Sequence, residues 1–355
     1  MSDPHALPET PELKALHARL SEHSLAGHWQ AREKNPELVP YLWPWSMIYS
    51  CLMESGEVVR LGGIDDAAKR RTVQLVNPAL DTKKATTRTL QMSIQLVKPG
   101  ERAECHRHSA AALRFVVEGD GTAYTNVEGE EMLMEPGDLV LTPNWSWHDH
   151  FNAGKSNVVW LDVLDSHLTR YLDAGFEENY AEGPAQPIVR GDGACKQRYG
   201  AIRPRITGSS GAALPYNYKW RDTLQALNKT AAAGPLDAHD GVLLEYSHPL
   251  TGGPTMPTIG CWVQMIPPGE STAPHRHTSS TIYHVVEGEG VTSVGKSKSA
   301  MRDLTWRTRD CFFVPSWNWH SLKNASSKTP AIIFSVTDRP VLESLGLFRE
   351  EEGLR

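Results

Sequence analysis

His106 and His108 are separated by a single residue. In an extended strand, residues i and i+2 project to the same side, so this pair presents two imidazoles on one face. A third imidazole from a neighbouring strand would complete a facial set of three nitrogen ligands. His148 is the candidate, because it follows the turn residues Gly137-Asp138 and Pro143, which can return the chain beside the first strand. The same spacing recurs at His275 and His277, with His320 as the third member. A lone histidine is more often a structural or surface residue than a ligand. Two copies of one three-histidine pattern, with matching flanks, point instead to metal binding.

The flanks define the elements that must position these residues. Pro99-Gly100 before the first pair recurs as Pro268-Gly269, and Val116-Val117-Glu118-Gly119 recurs as Val285-Val286-Glu287-Gly288, both at an offset of 169. PNWSWHDHFN (143–152) recurs as PSWNWHSLKN (315–324) at an offset of 172, so three residues are inserted between the two blocks. The chain therefore carries two copies of one unit. From about Thr89, short runs such as TLQMSIQLV, ALRFVVEG, TAYTNV and LVLTP alternate with Gly, Pro and Asn turns. That texture predicts an antiparallel sandwich or barrel, and it returns from about Gly241 to Thr337. Residues 11–34 read as helical at their start: Thr10 can cap, Pro11 suits the first helical position, and Leu13, Leu16 and Leu20 recur at helical spacing. The expected division is an N-terminal helical extension over 1–87, a first β domain over 88–165, a linker with helical pieces over 166–240, and a second β domain over 241–355.

Composition removes several classes of function. A chain of 355 residues is long enough for two domains. With 36 Lys plus Arg against 42 Asp plus Glu, the net charge is −6, which argues against a nucleic-acid partner. The five cysteines, at 51, 105, 195, 261 and 311, are odd in number and contain no CxxC, which fits reduced thiols in a cytoplasm. The opening MSDPHALPETPE has neither a basic nor an apolar region, so no signal peptide is read and a cytoplasmic protein is expected. The most apolar stretch, Leu38 to Met53, is too short to span a bilayer and holds two prolines. It reads as a Trp-rich segment packed over a core, and no membrane partner is expected.

The pattern G-(x)5-H-x-H-(x)10-G followed by P-G-D-(x)4-P-(x)4-H-(x)3-N resembles the two cupin motifs. Here it reads Gly100, His106, His108 and Gly119, then Pro136-Gly137-Asp138, Pro143, His148 and Asn152. The second copy reads Gly269, His275, His277 and Gly288, then Asp310, Pro315, His320 and Asn324, without Pro-Gly before the Asp. The resemblance implies a mainly β bicupin, two jelly-roll β-barrels. Many cupins place a glutamate three or four residues after the second histidine. Those positions here are Ala111 and Ala112, and Ser280 and Thr281. Three neutral imidazoles leave about three open positions on an octahedral +2 metal, which suits a bidentate anionic substrate and O2 on Fe(II). The oxalate-decarboxylase type of bicupin keeps the glutamate and fits less well.

AALRFVVEG, WSWHDHFN, DGVLLEYSHPLTGGPTMPTIG and HRHTSSTIYHVVEG together resemble the gentisate 1,2-dioxygenases, a family with salicylate and 1-hydroxy-2-naphthoate ring-cleaving relatives. The resemblance runs from about residue 30 to 350. It implies opening of a 2-hydroxybenzoate between its carboxyl-bearing and hydroxyl-bearing carbons by non-haem Fe(II) and O2, in a homo-oligomer, usually a tetramer. Comparison of the two copies suggests which one acts. At the repeat offsets, Arg114 becomes Tyr283, His150 becomes Leu322, and Asp162 becomes Phe334. A carboxylate substrate wants an arginine fork and an acid–base group, so the first copy is expected to be catalytic. Arg114 and His150 are placed on the triad's face by even steps from His108 and His148, if each strand is unbroken. Gln95, retained as Gln264, stands where the family has a substrate-contacting Gln, and a structural role remains open for it. Of the pair Arg70-Arg71, only one can point inward from a strand, and Arg70 is favoured for the substrate. Leu90 to Gln95 and Phe151 depart from the usual gentisate-enzyme residues, so a substituted salicylate is as apt a substrate as gentisate. Two other classes share the motifs: a different cupin enzyme, such as an isomerase or decarboxylase, and a non-catalytic bicupin binding or storage protein.

Overall fold

The computed structural model describes residues 10–30, 35–61, 68–199 and 215–353. The chain divides into two compact units, residues 1–37 and 38–355. In the first, the helix Pro11–Glu22 is capped by Thr10, whose hydroxyl accepts from the Leu13 N–H at 3.2 Å. It contains Leu13, Leu16 and Leu20, the residues whose spacing marks it. His23 closes it with backbone bonds to the Leu20 and Ser21 carbonyls.

The second unit is built from four antiparallel sheets, which form two barrels of jelly-roll type. In the N-terminal barrel a six-stranded sheet runs in the order Asn217–Tyr218, Leu139–Thr142, Ala112–Glu118, Val158–Leu164, Gln91–Val97, Thr72–Gln74. Its five-stranded partner runs Glu177–Asn179, Arg102–His108, His148–Asn152, Ala123–Val127, Glu130–Leu133. The C-terminal barrel repeats the plan. Its sheets are Tyr41–Trp43, Cys311–Val314, Thr281–Glu287, Ala331–Thr337, Gly260–Ile266, Val242–Glu245 and Arg302–Arg307, Glu289–Gly295, Trp319–Asn324, His275–His277, Glu350–Glu352.

Strand alternation decides which side chains face where. In Gln91–Val97, Met92, Ile94 and Leu96 join one apolar core with Cys261, Val263 and Met265 of the other barrel, and Phe115 stacks on Phe334 with ring centroids 4.2 Å apart. The two six-stranded sheets thus share a core. The intervening residues, Gln91, Ser93 and Gln95, turn into the N-terminal barrel, which explains why a fully buried strand alternates between apolar and polar side chains.

Two strands cross between the copies. Tyr41–Trp43, from the N-terminal extension, pairs with Cys311–Val314 of the C-terminal barrel. Asn217–Tyr218, from the linker, pairs with Leu139–Thr142 of the N-terminal barrel. Each strand leads into a helix, Trp45–Val58 or Trp220–Ala233. The helix then packs on the barrel its strand does not join, Trp45–Val58 on Gln91–Val97 and Trp220–Ala233 on Val242–Glu245. The Asp of each motif receives the first backbone N–H of one helix: Trp45 N–H donates to Asp310 at 2.7 Å and Trp220 N–H to Asp138 at 2.9 Å. A second exchange is equally reciprocal. Asp165 accepts from the Ala111 N–H and from the Thr258 hydroxyl at 2.6 Å, while Asp338 accepts from the Ser280 N–H and from the Thr89 hydroxyl at 2.7 Å. The apolar stretch from Leu38 is packed as expected, with Leu38, Trp43, Ile48 and Leu52 in the core.

Candidate active site

His106 and His108 leave the same face of Arg102–His108, and His148 opens the adjacent strand, in register with His106. Ring centroids lie 5.2, 4.4 and 4.9 Å apart, and one ring nitrogen from each residue falls within 4.8 Å of the others. A backbone carbonyl only accepts, so the Nδ1 contacts fix the tautomers of two rings. Nδ1–H of His108 donates to Ala110 O at 2.8 Å and that of His148 to Ser146 O at 2.9 Å, so both rings present an unprotonated Nε2, the form a metal requires. His106 Nδ1 lies 3.1 Å from Glu104 O and also faces the Arg70 guanidinium. Burial, then the charge of Arg70, lowers the pKa of His106 to about 2; burial first and Arg114 next hold His148 well below its ordinary value. The Nε2 of His148 is buried and has no protein partner. A polar atom left so is costly unless something binds it, and three converging imidazole nitrogens fit a divalent metal.

The surrounding residues come from both sheets. His150, two residues after His148, keeps to the same face, with ring centroids 5.8 Å apart. Its Nδ1 lies 2.8 Å from the Thr125 hydroxyl, which itself donates to the Met134 sulfur, so Nδ1–H is the donor and Nε2 is left as a buried acceptor. Arg114 reaches the same interior by a route other than the one expected. The strand ends at His108 and a new one begins at Ala112 in the opposite sheet, so an even step from His108 carries no meaning across that turn. Arg114 faces the barrel because it alternates with Leu113 and Phe115, which face the shared core. It is buried, its Nη1 donates to the Thr142 hydroxyl, and its Nε lies 3.7 Å from Asp162 in the neighbouring strand. Burial lowers its pKa and Asp162 opposes that shift.

The arginine pair separates cleanly. Arg70 Nη2 lies 2.5 Å from His106 Nδ1 and donates to Glu104 O at 3.0 Å. Arg71 points away, donating to Val59 O and pairing with Glu101. Both amide atoms of Gln95 are buried without partners, whereas Gln264 donates to Asp240 O at 2.7 Å. The two glutamines therefore occupy different situations despite their shared position.

One correspondence between the copies needs correction. Asp162 pairs with Ser93 and Arg114, and the equivalent neighbours Trp262 and Tyr283 pair with Ser335. The counterpart of Asp162 is Ser335, not Phe334. One further residue is inserted before the last strand, and a slip of one residue turns every side chain to the other face. The second copy still lacks the carboxylate.

The sequence reading missed Trp160, whose ring lies 5.2 Å from His150 and whose Nε1 is buried without a partner, and also Thr125 and Thr142, which hold His150 and Arg114. Trp160 was legible as the residue two before Asp162 on one strand. The others lie on strands that only the fold brings near.

In the C-terminal barrel His275, His277 and His320 converge in the same way, with ring centroids 5.8, 4.3 and 5.2 Å apart. All five cysteines are free thiols. No helix among the described residues is long and apolar enough to cross a membrane.

A cupin domain model matches residues 93–164 and 262–337. The 5-aminosalicylate 1,2-dioxygenase of a Comamonas species is 37% identical over 96% of this chain and 90% of its own length. The gentisate 1,2-dioxygenase of Aquipseudomonas alcaligenes is 35% identical over 97% of both. The crystal structure of salicylate 1,2-dioxygenase from Pseudoaminobacter salicylatoxidans, as a gentisate adduct, superposes with a TM-score of 0.86 at 30% identity, covering 100% of this chain and 98% of that one. With two cupin domains, full-length identity of this order and matching three-dimensional structure, the chain belongs to the bicupin family of gentisate, salicylate and 1-hydroxy-2-naphthoate 1,2-dioxygenases.

Proposed function

We propose that the N-terminal barrel binds Fe(II) through His106, His108 and His148 and uses O2 to open a 2-hydroxybenzoate between its carboxyl-bearing and hydroxyl-bearing carbons. The observation that carries this reading is the pair of guanidinium groups, Arg70 and Arg114, set beside a neutral three-imidazole site inside one barrel. A chelating hydroxybenzoate brings a carboxylate and an acidic hydroxyl, and a buried arginine fork complements the first. Fe(II), when bound, supplies coordination of both substrate oxygens and activation of O2.

Every other step falls to the chain's own side chains. Arg114 receives the substrate carboxylate and Asp162 holds the guanidinium in place. His150, with Nδ1–H committed to Thr125, offers Nε2 to the hydroxyl proton. Gln95 supplies one donor and one acceptor to the ring substituents, and Arg70 closes the side next to His106. Trp160, beside His150, and Ser93, opposite Asp162, are buried and help to exclude water. Gentisate would yield maleylpyruvate, both oxygen atoms of O2 entering the product. The family resemblance also implies a homo-oligomer, usually a tetramer, and that is the assembly we propose.

The test is anaerobic Fe(II) loading followed by oxygen-electrode assays with gentisate, salicylate, 5-substituted salicylates and 1-hydroxy-2-naphthoate. Oxygen consumption equal to substrate consumed is expected for at least one of them. Turnover of these acids without oxygen uptake would make the chain an isomerase or decarboxylase instead. Neither metal retention nor turnover would return it to the binding proteins.

A further inference from the structure

The residue between the first two triad histidines faces away from the barrel interior. We propose that Arg107 is a positioning residue: held against Trp145, Trp147 and Glu178 on the outer face of the sheet, it ties the strand of His106 and His108 to the turn that delivers His148, and so sets how the three imidazoles converge. The inference rests on the reading that this triad holds a metal.

Strand pairing alone leaves the triad loosely specified. The strands Arg102–His108 and His148–Asn152 pair through Arg102, Ala103 and His106 only, with a register shift between the last two. Such a shift disrupts the ladder locally. The relative position of His106, His108 and His148 therefore needs a second constraint, and Arg107 supplies it. Its Cζ lies over two indole rings, 4.6 Å from the Trp145 centroid and 4.4 Å from that of Trp147, and an aromatic face attracts a cation so placed. Nε and Nη2 donate to one Glu178 oxygen at 2.9 and 2.6 Å, and Glu178 lies opposite Arg107 in the adjoining strand. Trp145 N–H donates to His108 O at 2.8 Å, so the turn is also fastened to the backbone of the second ligand. One side chain thus joins three segments: the strand of the first two ligands, the turn before the third, and Glu177–Asn179.

Trp145 holds its place at a conformational cost. Its φ is +59°, in the left-handed region that a bulky side chain rarely adopts. Such strain persists only where the surroundings enforce it, and it clusters at functional sites. The second barrel repeats every element of the arrangement. Arg276, between His275 and His277, lies over Trp317 and Trp319 at 4.3 and 4.7 Å and pairs with Glu351. Trp317 has a φ of +58° and donates its N–H to His277 O at 2.7 Å. There the ligand strands pair at His275 and His320 alone. The barrels differ in the residues around their triads, Arg114 against Tyr283 and Asp162 against Ser335, yet agree in this brace. Its retention therefore follows the geometry of the histidines rather than the substrate pocket.

The test uses the full chain with His320→Ala, which disables the second triad and leaves the first to report. Co(II) affinity is measured by chelator competition, and the geometry of the site by Co(II) absorption. Arg107→Met should weaken binding by about 10- to 100-fold, the range for groups that orient ligands without touching the metal, and should shift the absorption bands. Trp145→Gly suits the left-handed backbone but removes one ring face, so it should also weaken binding. Trp145→Phe, which restores a ring face, should recover most of that loss. Trp317→Gly, the same change in the second barrel, should leave the Co(II) affinity and spectrum unaltered, which separates the brace from general destabilisation. A loss below about 10-fold on Arg107→Met, no recovery with Trp145→Phe, or an equal loss on Trp317→Gly would overturn the positioning role. A His320→Ala parent that binds no Co(II) would overturn the metal reading itself, and this inference with it.

Discussion

The Arg114–Asp162 pair allows binding and stability to be separated. Arg114 is buried, with Nη1 committed to Thr142 and Nε 3.7 Å from Asp162. Replacing it by Met keeps most of its volume but strands the Asp162 carboxylate inside the barrel. Removing one partner of a buried ion pair costs about 3–5 kcal/mol. In Arg114→Met/Asp162→Asn no charge is stranded, so most of that loss should return. Substrate binding should behave differently. A charge-assisted hydrogen bond to a carboxylate contributes about 1.5–3 kcal/mol, which at 1.36 kcal/mol per tenfold is a loss of about 10- to 150-fold. That loss should appear in both variants, because neither carries the guanidinium. Urea unfolding gives the stabilities, calorimetry of gentisate binding to the anaerobic Fe(II) protein gives the affinities, and metal analysis confirms that the triad is still occupied. The reasoning fails if gentisate binds both variants as tightly as the parent, or if the double variant regains affinity along with stability.

Three further outcomes are expected. His106→Ala should abolish oxygen uptake with gentisate, while His275→Ala should leave substantial uptake; equal loss from both would refute a single catalytic barrel. His284 is buried between the barrels against Phe115 and Cys311, and burial lowers its pKa to about 3. The unfolded chain takes up a proton there below about pH 6.5 and the folded chain does not, so stability is retained above that pH and falls on acidification. At pH 5 the linkage amounts to roughly 2 kcal/mol. His284→Phe should therefore flatten the drop in urea midpoint between pH 7.5 and pH 5, and an unchanged slope would exclude the linkage. Finally, Asp338→Ala removes the acceptor for both the Ser280 N–H and the Thr89 hydroxyl. It should cost about 2–6 kcal/mol, at roughly 1–3 kcal/mol for each buried donor left unsatisfied, read from the same urea curves; a cost below about 1 kcal/mol would mean that water replaces the carboxylate.

The two triads were legible because a strand's period of two is a local rule that pairs the first two histidines of each, and the third stands at a matching place in both copies of the repeat. His150 followed by the same rule. Arg114 lies inside the barrel as expected, but the chain crosses to the opposite sheet between His108 and Ala112, so sheet membership places it there and parity does not. The counterpart of Asp162 slipped by one residue because a short insertion in a turn leaves no mark in composition and yet reverses a strand. The crossing strands depend on distant pairings, Tyr41 with Phe313 and Asn217 with Val140, which no short window of sequence contains. Their trace was present all the same: PYLWPW (40–45) recurs as PYNYKW (215–220), and FEE (176–178) is echoed around FREE (348–351). The repeated unit thus extends beyond the barrel at both ends.

The exchange of strands also sets an order on synthesis. The N-terminal barrel lacks its outermost strand until Tyr218 has been made, and the Tyr41–Trp43 strand has no partner until Cys311–Val314 emerges. At roughly 5–20 residues per second, the ribosome takes about 15–55 s to supply that partner. Through this interval the apolar, tryptophan-rich segment beginning at Leu38 has one of its two docking surfaces missing. A nascent chain of this design cannot finish its first domain before starting its second, so truncated or stalled products expose an unpaired edge, which is a natural target for chaperones and proteases.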